Sequence, residues 1–537
     1  MRSGRAFVES LRDGRGVFLD GQRVKDVTTH PAFAEPIRQV GLMYDQARER
    51  WDPAATTYLE AATGQRTSAM WLIPRSSADL ALRRQVHRAW CEPSGGVMGR
   101  TADSGASILT GFASHPEVFA RGGEPFAENV RRFHARARDE DLFVAYAVVP
   151  PQGDRTKPAH KQKEPFLYAG VAQERDDGLV LRGAQMIATS AVMADWLIVS
   201  SITPLAPGDD DYAFSVVIPT AAEGLRIYPR RPYATMATSV YDYPLSSRFD
   251  EIDTLVVLRD VFVPWEHVFI HRSVELVNAQ WHEAAAHLLV NFHTLIRFCV
   301  KMEFVAGLAL RLTELHNIQA MPPVQTQLGA EIALVGAQMD ALAHAAETVP
   351  LVRNGIARPN PLYVYAAMNL QRRLAPDLMR TLRELAGGAF IVVPSSQEAF
   401  ASAETRDDTH RYYQGAETGA EERVKLLKLI WDLVGTEFGG RQLQYDMFYS
   451  AGPARRRHAD VPLVRLDSRP RRRRPHAPGL LTRGVTMTHR APRYGLNERG
   501  RRPVRSQKPT DARKLEDPSP LMSLAVLWPT RRGRRLS

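Results

Sequence analysis

The sequence predicts an α+β protein in which a β domain separates two helical regions. Three observations predict it: helical periodicity over residues 1–145, short β-branched runs over residues 146–273, and long helical periods over residues 274–453. The 537 residues can form several cores. We therefore expect an N-terminal α-helical domain, a middle β domain and a C-terminal four-helix bundle, followed by a tail at residues 454–537.

Residues that typically begin or end helices and strands locate individual elements within these regions. Capping residues open a helix at Ser77, and a second helix is predicted from Phe126 to Leu142. In the middle region, Asp177-Gly178 lies between two β runs and predicts a hairpin in an antiparallel domain of six or more strands. The predicted bundle helices are His287–His316, Val324–Thr348, Pro361–Leu385 and Glu421–Tyr449.

The excess of positive over negative charge is confined to the tail. The net charge is +11, but Ala454 to Ser537 hold 23 Lys and Arg against 6 Asp and Glu, so the rest of the chain is mildly acidic. A nucleic-acid-binding function would depend on this tail alone. No run of 18 apolar residues predicts a transmembrane helix, and the first residues lack a signal-peptide core, so we expect a cytoplasmic protein without a membrane partner.

The sequence lacks the usual cofactor and metal motifs. No glycine fingerprint follows a strand, and Gly95 to Gly99 lack the Lys-Ser/Thr of a phosphate-binding loop. The two cysteines, Cys91 and Cys299, are too few for a Cys-rich metal site, and no His/Glu spacing predicts zinc, so no metal is expected.

A series of short strings, in order along the chain, carries a family resemblance. They are Asp26–Phe33, Leu72–Pro74, Val97–Arg100, Phe126–Val130, Pro151–Arg155, Arg182–Thr189, Pro244–Glu251, Val263–Phe269 and Glu421–Val424. Together they resemble the 4-hydroxyphenylacetate 3-monooxygenase family, over roughly residues 5–453. The order of the three regions also resembles the acyl-CoA dehydrogenase architecture, in which flavin lies between the β domain and the helical bundle.

The resemblance implies a function. Members of this family are oxygenase components that hydroxylate a phenol ortho to its hydroxyl group. They use dioxygen and reduced FAD, which a separate NAD(P)H:flavin reductase supplies. The resemblance also implies a homo-oligomer, a tetramer or a dimer, built on the C-terminal helices.

The resemblance assigns substrate residues, with two departures. Arg100 matches the family's substrate-site arginine, whose permanent charge would hold the phenol oxygen as phenolate. Where family members have a tyrosine and a histidine, this chain has Ser104 and Tyr146. Arg100 and Tyr146 are therefore the expected catalytic residues, and Ser201 and Ile202 match a further substrate segment. The departures predict a substrate bulkier than 4-hydroxyphenylacetate, tethered or polycyclic.

The expected cofactor residues lie in three segments. Polar side chains and backbone donors of this kind suit the carbonyls and ring nitrogens of a flavin. By resemblance they are Gln152, Gly153, Asp154, Arg155, Thr189, Gly452, Pro453, Ala454 and Arg455.

Two explanations stay open for the Arg- and Pro-rich tail. Read one nucleotide later, codons for His458 to Asp467 can encode a string similar to the family's C-terminal ending, which indicates a frameshift near residue 454. The alternative is a genuine cationic arm that binds nucleic acid or an acidic partner. Sequencing the gene through codons 440 to 480 distinguishes the two.

Two enzymatic alternatives share the predicted architecture. A 4-hydroxybutyryl-CoA dehydratase needs three cysteines and a histidine for its iron–sulfur cluster. His293 and Cys299 resemble part of that set, but two cysteines cannot complete it. An acyl-CoA dehydrogenase needs a catalytic carboxylate in the helical bundle, and the sequence does not identify one.

Overall fold

The N-terminal region is helical, with two short hairpins. The structure, a computed structural model, describes residues 1–448. Ser76 caps the fourth helix through a reciprocal pair of hydrogen bonds with Asp79, one residue before the predicted start. The elements are α1 (Gly4–Ser10), β1 (Phe18–Leu19), β2 (Gln22–Arg23), α2 (Ala34–Glu49), α3 (Pro53–Thr56), β3 (Thr57–Leu59), β4 (Arg66–Ser68), α4 (Ser77–Cys91), α5 (Ala102–Ser114), α6 (Glu117–Ala120) and α7 (Glu124–Asp139).

The middle region forms two four-stranded sheets. The first has the order β10-β11-β7-β6 and is antiparallel throughout. The second has the order β12-β9-β8-β5, and its β5–β8 pair is parallel. The strands are β5 (Val144–Ala147), β6 (Gly170–Arg175), β7 (Gly178–Met186), β8 (Trp196–Val199), β9 (Ser215–Pro219), β10 (Leu225–Pro229), β11 (Thr254–Pro264) and β12 (Val268–Ile270).

Two details of the β domain differ from the expectation. The domain is not wholly antiparallel, because β5 runs in from the helical region and lies alongside β8 in the same direction, with Tyr146 opposite Ile198. The predicted hairpin is present between β6 and β7. Its turn consists of Asp176 and Asp177, and Gly178 is already in the strand.

The C-terminal region contains the long helices. The elements are α8 (Val274–Glu283), α9 (Ala286–Leu315), α10 (Pro322–Ile332), a π-helix (Ala333–Met339), α11 (Asp340–Thr348), β13 (Leu351–Arg353), β14 (Ile356–Arg358), α12 (Pro361–Ala386), α13 (Glu398–Ala401), α14 (Arg406–Tyr412), α15 (Ala420–Val434) and α16 (Glu437–Phe448). Two of the predicted helices, those ending at Thr348 and Tyr449, are interrupted. A π-helical segment interrupts the first, and the second is divided at Gly435, the C-cap of α15.

One apolar core connects the three regions. It includes Trp71 and Phe112 from the N-terminal helices, Val217 from the second sheet, and Phe298 and Leu433 from the bundle. Every described residue belongs to one compact unit that begins at Met1. Within residues 1–448, no helix is long and apolar enough to span a membrane.

Candidate active site

Arg100 lies on the loop between α4 and α5, and this loop is fixed by a buried carboxylate. The backbone amides of Gly99 and Arg100 both donate to Oε1 of Glu251, at 2.6 Å for Arg100. Glu251 is buried just before β11. Two amide donors on one carboxylate oxygen hold the loop strongly, because charge-assisted hydrogen bonds are about twice as strong as neutral ones.

The Arg100 guanidinium lies between two tyrosine rings. Its Cζ atom is 5.2 Å from the centre of the Tyr146 ring and 5.0 Å from the centre of the Tyr445 ring. Its Nη1 donates to the Tyr445 hydroxyl at 2.7 Å. Tyr445, on α16, was not predicted from the sequence. It contacts Arg100 across 345 residues of chain, and no local pattern carries that information.

The side chains of Ser104 and Tyr146, two of the predicted substrate residues, lie next to each other. Their hydroxyl oxygens are 3.4 Å apart. Helix α5 approaches strand β5 closely at Gly105, where a Cβ atom would collide with the backbone carbonyl of Val144. The glycine therefore permits the contact that places Ser104 against Tyr146. Ser104 itself is buried.

The second substrate segment follows strand β8. The Ser201 hydroxyl donates to the carbonyl of Thr203 at 2.8 Å, and the Ile202 amide donates to the carbonyl of Val148 at 2.9 Å. Because β8 runs parallel to β5, Ser201 and Ile202 leave the sheet at the same end as Tyr146. The Trp281 indole fixes this turn by donating to the Ser201 carbonyl at 2.8 Å.

Arg441 on α16 connects the Arg100 loop to the expected flavin residue Thr189. It donates to Glu251 at 2.7 Å and makes a two-point contact with Asp253, at 2.7 and 2.8 Å. The Thr189 hydroxyl donates to the same Asp253 carboxylate at 2.7 Å. Although burial favours the neutral acid, Arg441 holds the pKa of Asp253 well below its usual range. The described contacts therefore place Thr189 in the same network as Arg100.

A fully buried ion cluster lies behind Tyr445. Asp446 accepts from Arg297 and Lys301, each at 2.6 Å, and Arg297 also donates to the carbonyl of Gly96 at 2.9 Å. Burial favours the neutral acid, yet Lys301 and Arg297 lower the pKa of Asp446. This cluster fixes α16 against α9, with the neighbouring Tyr445 turned toward the site.

The predicted flavin loop lies elsewhere on the β domain. Its hydrogen bonds are local, such as the Asp154 amide to Gln162 at 3.0 Å. The structure does not bring Gln152, Gly153, Asp154 or Arg155 into hydrogen-bond contact with the Arg100 network.

The donor set of this loop fits a flavin cofactor. Within residues 1–448, the exposed side chains of Gln152 and Arg155 make no hydrogen bond or ion pair, so an amide and a guanidinium are available to a flavin carbonyl or a phosphate. The third predicted segment, Gly452 to Arg455, lies outside the described residues.

A buried His–Asp–His group lies beside the site, one residue before Ser104. Asp103 is 2.9 Å from His87 Nδ1 and 3.2 Å from His293 Nε2, within reach of a metal ion. Burial lowers the pKa of His87 to about 3. The buried Arg83 guanidinium lies 3.4 Å from His87 and interacts electrostatically with Asp103, so a divalent cation would add two positive charges to a buried group that already contains one cation. We interpret the group as a network that holds the start of α5.

The chain matches known proteins along almost all of its described length. Family models described as the N-terminal and C-terminal parts of 4-hydroxyphenylacetate 3-hydroxylase match residues 3–270 and 277–463. The chain belongs to the 4-hydroxyphenylacetate 3-hydroxylase family. The sequence-based family assignment, the α+β fold, the monooxygenase class and the use of FAD are thereby confirmed at the level of the family.

Individual relatives differ in the phenol that they are named for. A (3S)-3-amino-3-(3-chloro-4-hydroxyphenyl)propanoyl-[peptidyl-carrier protein SgcC2] monooxygenase of Streptomyces globisporus is 35% identical over 83% of this chain and 84% of its own. A 4-nitrophenol 2-monooxygenase oxygenase component of a Rhodococcus species is 31% identical over 83% and 85%.

A solved structure extends the similarity to three dimensions. The oxygenase component of 4-hydroxyphenylacetate 3-monooxygenase, complexed with FAD and 4-hydroxyphenylacetate, superposes with a TM-score of 0.80 at 32% identity. The superposition covers 85% of this chain and 94% of that chain. As an oxygenase component, a member of this family depends on a reductase partner.

Proposed function

We propose that this chain hydroxylates a phenol ortho to its hydroxyl group, with Arg100 as the anchor for the phenol oxygen. The observation that carries the proposal is the guanidinium held between Tyr146 and Tyr445, with Ser104 beside it. A permanently charged guanidinium favours the ionised phenol. Ionisation raises the electron density at the ortho carbon, which is the carbon that must accept an oxygen atom.

The surroundings of Arg100 support this role. Helix α5 is buried along its whole length, so the site lies against a buried surface, where electrostatic interactions are stronger than in water. The hydroxyl groups of Ser104 and Tyr146 can each donate a hydrogen bond to a phenol oxygen. We propose that Gln152, Arg155 and Thr189, with the segment Gly452 to Arg455, hold FAD. When bound, reduced FAD from a reductase supplies the electrons that activate dioxygen.

The substrate that we propose is larger than 4-hydroxyphenylacetate. Ser104 stands where family members have a tyrosine, and the smaller side chain leaves more room near Arg100. The Streptomyces relative, named for a substrate attached to a carrier protein, suggests a phenolic amino acyl group tethered in that way. A free phenol such as 4-nitrophenol is the second candidate, because the Rhodococcus relative is named for it.

Oxygen incorporation tests the proposal. The enzyme and reduced FAD are mixed with ¹⁸O₂ and one of three phenols: 4-hydroxyphenylacetate, 4-nitrophenol, or a carrier-tethered 3-amino-3-(4-hydroxyphenyl)propanoyl group. We expect a catechol product that carries one ¹⁸O atom, formed fastest from the tethered substrate. Hydrogen peroxide without a labelled product from any of the three phenols would contradict the function. The Arg100→Met variant should lose hydroxylation, whereas Arg380→Met, at an exposed arginine, should retain it.

The assembly and location stay proposals. The C-terminal helices expose Leu310, Leu334 and Leu362, each more than a third accessible, which supports a homotetramer or homodimer built on this region. Light scattering of the purified chain measures the mass directly, and a monomer at micromolar concentration would contradict the assembly. A cytoplasmic location would give the reductase access to NAD(P)H.

A further inference from the structure

Three arginines from different elements converge on Tyr445. The Cζ atoms of Arg100, Arg297 and Arg441 lie 5.0, 4.9 and 5.2 Å from the centre of its ring. They come from the loop before α5, from α9 and from α16 itself. A cation within about 6 Å of an aromatic ring is attracted to its face. The Tyr445 ring is therefore the common packing surface of three guanidinium groups.

The hydroxyl of Tyr445 orients the Arg100 guanidinium. It accepts the 2.7 Å hydrogen bond from Arg100, so the guanidinium cannot rotate freely between the Tyr146 and Tyr445 rings. A carboxylate in the same place would also orient Arg100, but it would cancel the charge that a phenolate needs. A neutral hydroxyl fixes the guanidinium and leaves its positive charge in place.

The position of Tyr445 is itself fixed from two sides. Its neighbour Asp446 is held by Arg297 and Lys301 in the buried cluster described above. On the other side, a Cβ atom at Gly99 would lie 2.8 Å from Cδ of Arg297 and 2.9 Å from the Tyr445 hydroxyl oxygen, both closer than real Cβ atoms approach. The contact between Arg100 and Tyr445 thus depends on the absence of a side chain at residue 99.

We propose that Tyr445 is a positioning residue, which orients Arg100 and thereby favours the ionised form of a bound phenol. This inference rests on the proposed function, because it presupposes that Arg100 holds the phenol oxygen. Among residues 1–448, the charged groups around Tyr445 and its arginine neighbours include Arg100, Arg297, Lys301, Arg441, Glu251, Asp253 and Asp446. Removing the Tyr445 hydroxyl leaves each of these side chains in place and deletes the hydrogen bond that orients Arg100.

The test uses 4-nitrophenol as a probe, because its phenolate absorbs visible light. Titration of the probe with the full-length enzyme gives the pKa of the bound phenol, without flavin or turnover. In the wild type we expect this pKa to lie below that of free 4-nitrophenol. Tyr445→Phe keeps the ring and removes the hydroxyl, and it should weaken phenolate binding about tenfold, the scale of one charged hydrogen bond. Tyr365→Phe is the matched control, since it removes a 3.1 Å hydrogen bond between α12 and His287, which lies ten residues before Arg297 on α9.

A second variant moves the hydroxyl instead of deleting it. Gly99→Ala should crowd the side chains of Arg297 and Tyr445, move the Tyr445 hydroxyl away from Arg100 and weaken phenolate binding in the same direction. This variant also serves if Tyr445→Phe does not fold, and the urea midpoint of each variant reports on folding.

The outcomes separate the two proposals. If Arg100→Met loses the preference for phenolate while Tyr445→Phe and Gly99→Ala bind like the wild type, the role of Tyr445 is wrong and the proposed function stands. If Arg100→Met binds phenolate as well as the wild type, or if the wild type shows no preference for it, the assignment of Arg100 fails and the role of Tyr445 fails with it.

Discussion

Arg297 and Asp446 form an ion pair with no solvent exposure, at a nitrogen–oxygen distance of 2.6 Å. Lys301 contacts the other carboxylate oxygen at the same distance, so one carboxylate pairs with two buried cations. This arrangement connects α9 to α16 directly behind the proposed phenol site.

Removing the Asp446 charge should strongly destabilise the protein. Asp446→Asn leaves two buried cations around a neutral amide, and loss of one partner of a buried ion pair costs about 3–5 kcal/mol. The free energy of unfolding in urea measures the effect. Asp377→Asn is the control, because the ion pair between Asp377 and Arg380 is solvent-exposed, with a nitrogen–oxygen distance of 3.5 Å. This substitution should change the free energy of unfolding by less than about 0.5 kcal/mol. Equal stabilities of the two variants would show that the buried cluster carries no net stabilisation.

The buried His87 should make the protein sensitive to mild acid. Burial lowers its folded-state pKa to about 3, whereas an unfolded histidine has a pKa of about 6.5. Between these values the unfolded chain binds a proton that the folded protein does not bind. The stability associated with a neutral His87 is therefore complete above about pH 6.5 and is lost as the pH falls toward 3.

The comparison with His87→Gln isolates this effect. A glutamine can still donate to Asp103 but does not titrate. The stability of the wild type, relative to the variant, should fall by about 1.4 kcal/mol per pH unit below pH 6.5. Urea midpoints at pH 7, 6 and 5 measure the slope, and His344→Gln removes an exposed histidine as a control. Parallel profiles for wild type and His87→Gln would contradict the buried neutral state.

Substitutions at Ser104 and Tyr146 should shift the substrate preference back toward 4-hydroxyphenylacetate. Ser104→Tyr with Tyr146→His restores the residue types that family members carry there, and the two side chains already face each other at 3.4 Å. We expect the double variant to gain at least about tenfold in kcat/KM for 4-hydroxyphenylacetate, the scale of about one added hydrogen bond. It should also lose activity on the tethered substrate. Each single variant should show a smaller change, and an unchanged ratio between the two substrates would mean that selectivity is set elsewhere.

Local sequence patterns account for the elements but not for the contacts of the site. Helix α9 lies within one residue of its predicted bounds, because 30 residues of helical period leave little ambiguity. The break at Gly435 and the π-helical segment after Ile332 depend on packing between helices, which periodicity does not encode. By the family resemblance, Arg100 was assigned from its motif, Ser104 from its place four residues later, and Tyr146 from its place shortly before Pro151-Gln152.

The residues that the sequence did not reveal are those that join distant segments. Tyr445 and Arg441 lie one turn apart on α16, so a common face was predictable once the helix was assigned. Their partners Arg100 and Glu251 lie about 190 to 345 residues earlier, and only the fold brings them together. A partial signal was the pair Arg297 and Lys301, two cations one turn apart in the otherwise largely apolar sequence of α9.

We expect the Arg155 side chain to contribute to FAD binding. Its guanidinium is exposed on the predicted flavin loop and has no ion-pair partner among residues 1–448, as expected for a group that pairs with a phosphate. Arg155→Ala should weaken binding of reduced FAD about tenfold, the scale of one charged hydrogen bond. Anaerobic titration of FAD fluorescence or absorbance gives the dissociation constant. Arg259→Ala, at an exposed arginine on β11, controls for net charge. If both variants bind FAD equally well, the loop from Gln152 to Arg155 does not hold the cofactor through this side chain.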